Sequence, residues 1–67
     1  MSVFMVNLRG CSERLIVRFA SPTLSDLAQE LQFSRFVVGE LLEVDGEAID
    51  KGIVLPSNQI AMIREPE

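Results

Sequence analysis

The sequence predicts an α+β fold, with one helix packed on one face of a small mixed sheet in the order strand, strand, helix, strand, short strand, strand. Three local patterns carry that expectation. Residues 14–19 alternate Leu15, Val17 and Phe19 with Arg14, Ile16 and Arg18, the period of a half-buried strand. Leu24, Leu27, Ala28 and Leu31 recur at helical spacing behind a capping threonine. Asp45-Gly46 marks a two-residue hairpin turn. At 67 residues the chain is expected to form one domain, with its core in residues 3–63 and a polar tail over 64–67. A chain of this size buries only about 60% of its unfolded surface, which leaves little room for a cofactor pocket or a deep cleft beside the core.

Each element follows from its residues. Val3, Phe4, Met5, Val6, Asn7 and Leu8 are mostly strand formers, and Arg9-Gly10-Cys11-Ser12-Glu13 breaks the run. The next strand, residues 14–19, lies one short glycine-containing loop away, so the two form an antiparallel hairpin. Ser21-Pro22 closes the strand region. Thr23 then offers a hydroxyl to a free N–H of the first helical turn, while Asp26 reaches back and complements the helix dipole. The helix spans residues 24–32, with Ser25, Asp26, Gln29 and Glu30 turned to solvent. Residues 37–44 read as a strand with a bulge or bend at Gly39. After the Asp45-Gly46 turn, Glu47-Ala48-Ile49 makes a short return strand, residues 50–58 read mostly as loop, and residues 59–63 form the last strand.

Composition removes several chemistries. The chain has no His, hence no imidazole base, no Ser-His or Cys-His nucleophile and no His metal ligand. Its one cysteine, Cys11, permits no intramolecular disulfide and no thiolate zinc site, and reads as a small turn residue. Asp45, Glu47 and Asp50 lack the carboxylate spacing of a calcium loop. The expectation is a protein that is not an enzyme and takes no cofactor and no metal.

Charge is uneven along the chain. Residues 1–39 carry four arginines against three carboxylates, whereas residues 40–67 carry two cations against seven carboxylates, within a net charge of −4. The acidic half repels phosphates, and no Tyr or Trp is present to stack on bases, so nucleic acid is not an expected partner. Apolar runs such as Leu15-Ile16-Val17 fall far short of the roughly 18 residues of a membrane span. Met1-Ser2-Val3-Phe4-Met5 lacks the basic start and apolar stretch of a signal peptide. An unpaired cysteine suits a reducing compartment, and a cytoplasmic location is expected.

The opening hairpin, the capped helix at Pro22-Thr23-Leu24 and two later segments together resemble the β-grasp, or ubiquitin-like, fold over residues 3–63. Val44-Asp45-Gly46-Glu47-Ala48-Ile49 is similar to a hairpin of the sulfur-carrier proteins of thiamin and molybdopterin biosynthesis. Residues 55–63 resemble the ending of the same proteins, with Ser57-Asn58-Gln59 at their turn. Such carriers end in a flexible Gly-Gly whose carboxylate is activated. Here the tail is Arg64-Glu65-Pro66-Glu67, without glycine and stiffened by Pro66. The resemblance therefore implies the non-conjugated branch of the fold, whose members act as docking surfaces.

If Leu15, Val17 and Phe19 face the helix, then Arg14, Ile16 and Arg18 face the other side of the sheet. On the neighbouring strand Phe4, Val6 and Leu8 join the core and leave Val3, Met5 and Asn7 outside. Val3, Met5 and Ile16 ringed by Arg14 and Arg18 have the makeup of a partner-binding patch, and ubiquitin-like domains commonly bind through this face. A one-residue register slip would instead put the apolar residues in the core. The function expected is a non-catalytic protein-interaction module: an adaptor, accessory subunit or inhibitor of a larger protein. The alternatives are a divergent sulfur-carrier-like protein of cofactor biosynthesis and a homo-oligomeric structural protein using the same patch.

Overall fold

The alternation of the second strand is realised in the computed structural model, which describes residues 2–66. Strand β1 (Ser2–Leu8) pairs with β2 (Leu15–Phe19), with Phe4 opposite Val17 and Met5 opposite Ile16. Phe4, Val6, Leu15, Val17 and Phe19 are buried, whereas Val3, Met5 and Ile16 are half-buried on the opposite face. The Phe4 and Phe19 ring centroids lie 6.2 Å apart at a 38° tilt, within the distance range of aromatic contacts.

Helix α1 (Leu24–Phe33) starts as its cap residues dictate. The Thr23 hydroxyl oxygen accepts from the Asp26 backbone N–H at 3.1 Å, and the hydroxyl donates to Asp26 Oδ2 at 2.9 Å. Thr23→Ala removes both bonds and should cost about 1 kcal/mol, read as a lower denaturant midpoint with an unchanged slope. An unchanged midpoint would mean that water replaces the cap without loss. Leu27 is the helix's one buried residue among those described, and it enters the core with Val37 and Leu55.

Strand β3 (Phe36–Val44) pairs with β2 and with β4 (Glu47–Pro56). The turn between β3 and β4 has φ of 50° at Asp45 and 84° at Gly46, the two positive angles that a tight hairpin requires. A 3₁₀ turn at Ser57–Gln59 leads into β5 (Ile60–Arg64), which pairs with β1. The result is a small α+β domain with one helix and a five-stranded sheet in the order β4-β3-β2-β1-β5.

Four expectations are corrected. The sheet is not mixed, because all four strand pairings are antiparallel. Three residues between β4 and β5 cannot carry the chain back along the sheet, so β5 leaves in the sense of β4, which is antiparallel to β1. The short return strand and the loop over 50–58 are instead one ten-residue strand, because β3 supplies a partner along its length, with Val37 opposite Leu55 and Glu40 opposite Gly52. No bulge sits at Gly39; the register shifts between Leu41 and Glu43. Arg64 belongs to β5 rather than to the polar tail, and Glu67 lies outside the described residues.

The short β4–β5 connection also shapes the sheet. Four strand spacings of about 4.8 Å would separate the edges of a flat sheet by roughly 19 Å. A three-residue 3₁₀ turn rises only about 2 Å per residue. The sheet therefore curls, helped by register shifts at Asn7/Leu8, Ile16/Val17 and Leu41/Glu43. Its inner face holds Leu27 and the rest of the core, and its outer face is left for solvent or a partner.

Candidate functional site

Strand register sets the layout of the outer face. One cross-strand row runs Ala48, Glu43, Ile16, Met5 and Arg64 across all five strands. Arg64 lies over Met5, its Nε and Nη2 groups donating to the Met5 sulfur at 3.3 and 3.2 Å. Met5, Arg14, Ile16, Glu43 and Arg64 line a shallow hollow of about 340 Å³. Three of the five residues expected at a partner site, Met5, Arg14 and Ile16, are thus brought together. Arg14 is held there from both sides of its peptide: its N–H donates to Asp45 Oδ1 at 2.8 Å, and its carbonyl accepts from the Asp45 N–H at 2.9 Å.

The other two, Val3 and Arg18, face each other one row away. Arg18 is engaged with its β3 neighbour Glu40, Nη2 to Oε1 at 2.8 Å and Nε to the same oxygen at 3.1 Å. Both side chains are partly exposed, 37% and 46%, so water screens the pair and it contributes little stability, within about 0–1 kcal/mol. Its effect is on the layout of the face, because this row of ions divides the apolar surface in two.

Beyond the ion pair lies a group of residues that the sequence reading did not single out. Val37 is buried, so alternation turns Phe36 and Val38 outward, and Val54 stands opposite Val38 on β4. Phe36 is 58% exposed, Val38 71% and Val54 59%, far more than the half-buried Val3, Met5 and Ile16. The adjacent pair Val37-Val38 hid this, since two apolar neighbours do not say which of them points inward. No local signal could have found it, because Val54 and Pro56 stand across from Val38 and Phe36 only once β4 runs on through Asp50-Lys51-Gly52.

Other features offer less. Cys11 is exposed in the β1–β2 loop. Among the described residues no group of three or more His, Cys, Asp or Glu is placed to hold a metal ion, and no helix is long and apolar enough to cross a membrane.

Fold and face together define a small α+β domain with an uncovered sheet surface, apolar in two groups and divided by an ion pair. Comparison with protein families, with curated proteins and with solved structures finds no match to this chain.

Proposed function

We propose that the chain is a non-catalytic interaction module, an adaptor, accessory subunit or inhibitor, that docks a larger protein on the outer face of its sheet. The observation that carries this reading is the exposure of Phe36, Val38 and Val54 on a face that the helix leaves uncovered. Large apolar side chains grouped on an open surface mark interaction sites more often than solvated strands do. Met5 and Ile16, with Arg14 and Arg64 at their margin, extend the contact surface toward β5. The reading also takes the protein to act in a reducing, cytoplasmic setting, in keeping with the exposed free thiol of Cys11.

The ubiquitin-like kinship enters only as a proposal about element order, since the strand–strand–helix–strand–strand–strand sequence is kept while the sheet is antiparallel throughout. Carrier chemistry forms no part of the reading, which rests on the exposed sheet face.

The test is affinity capture from the native host's lysate with wild type and with a Val38→Lys, Val54→Glu double variant. Opposite charges across this strand pair preserve β pairing, whereas two like charges would weaken it. The variant should keep its circular dichroism spectrum and lose the captured protein. Retention of the same stoichiometric partner by a folded variant would remove the apolar corner from the site.

A further inference from the structure

The two edges of the sheet are protected unequally. Strand β4 carries Glu47, Asp50 and Lys51 along its edge, and Glu40 and Glu43 lie on the neighbouring β3. Charged side chains of this kind keep an edge strand from pairing with another chain. Two copies meeting there would also bring like carboxylates together. Strand β5 has no such protection over Ile60-Ala61-Met62-Ile63.

Beside that open edge the helix is only partly covered. Of its apolar stripe Leu27 is buried, Leu24 and Leu31 are half-buried and Ala28 is exposed. Between these four residues and Ile60 and Ile63 of β5 lies an apolar groove of about 390 Å³. An unpaired strand edge alongside an apolar groove is the arrangement that strand addition uses: backbone bonds form along the edge while alternate side chains fill the groove.

We infer that the occupant is the β5 strand of a second copy of this chain, paired antiparallel about a two-fold axis at Ile63. In this register Ile63 faces its own counterpart beneath the two helices. Met62 then stands across from Arg64 of the second copy. Within the chain Arg64 already stands across from a methionine, Met5, and donates to its sulfur. The pairing repeats on one side of Arg64 the contact it makes on the other, so the edge is complementary to itself. Charge agrees, since among the described residues the basic Arg64 and the acidic Glu65 balance at this edge, unlike the carboxylate-rich β3–β4 side. The assembly is a closed dimer with a continuous ten-stranded sheet; it shares Arg64 with the margin of the outer face but does not involve Phe36, Val38 or Val54.

The experiment is sedimentation equilibrium over a wide concentration range, with amide hydrogen exchange on the same samples. Wild type should show a monomer–dimer equilibrium, with residues 61–64 becoming more protected as concentration rises. Met62→Lys adds a charge to the edge, and Ala28→Arg fills the groove from an exposed, helix-compatible position. Each should weaken the dimer about tenfold or more while leaving circular dichroism intact. The Val38→Lys, Val54→Glu variant should associate as wild type does. A monomer at every concentration, with exchange at 61–64 independent of concentration, overturns the inference. So does a dimer that survives Met62→Lys and Ala28→Arg but dissociates in the outer-face variant. Capture of a heterologous extended peptide at residues 61–64 by a protein that never self-associates assigns the groove to another chain and overturns it equally.

Discussion

Replacing Leu27 with alanine should cost about 2–5 kcal/mol and release the helix from the sheet. Leu27 is completely buried, and no other described residue of α1 is. The substitution removes its contacts with the core and leaves a cavity that the sheet closes only in part. A 67-residue domain commands roughly 3–10 kcal/mol in all. The variant should therefore lose a large share of its stability and unfold at a markedly lower urea concentration than wild type. Urea titration followed in the helical circular dichroism band checks this. A loss below about 1 kcal/mol would show that Leu24 and Leu31 hold the helix without Leu27.

Gly39→Ala is expected to be nearly as damaging, for a different reason. A Cβ at this position falls 2.8 Å from Val17 Cγ1, 2.9 Å from the Arg18 carbonyl oxygen and 3.1 Å from Phe19 Cδ1. Side chains can rotate away, but the Arg18 oxygen is backbone in the partner strand, so β2 and β3 must separate. Overpacking of this kind costs about 1–3 kcal/mol. Gly52→Ala supplies the contrast within the same sheet, since nothing lies within 4 Å of its added carbon. That change should be neutral, or stabilising by about 0.5–1 kcal/mol through lower chain entropy. Equal denaturant midpoints for the two variants would refute the close-approach account of Gly39.

These cases mark what the sequence disclosed and what it withheld. Alternation over residues 14–19 identified the inward set Leu15, Val17 and Phe19, because strand period is a local property. The Thr23 cap and the Asp45-Gly46 turn were legible for the same reason: each is built from neighbours in the chain. Gly39 was noticed but assigned a bulge or bend, since the obstruction comes from Val17 and Arg18, some twenty residues earlier. Asp50-Lys51-Gly52 has the composition of a loop, and only a partner strand makes it continue β4. Strand direction was missed too, because it depends on how far three connecting residues reach. For the candidate site, Met5, Arg14 and Ile16 were placed on a common surface by alternation, but the more exposed Phe36, Val38 and Val54 were not, since their face is fixed by pairing across β3 and β4.

The antiparallel pairing of β5 with β1 has a topological consequence. Because β5 runs back along β1, Ser2 and Pro66 arrive at the same end of the sheet and line one hollow with Val3 and Glu65. The fold is thus a nearly closed ring of chain, cut at one point. A linker of a few residues would join 66 to 2, and the cut could move to the tight turn at Asp45-Gly46 with every strand keeping its neighbours. By the same geometry the domain would fit within a surface loop of a host protein, entering and leaving side by side.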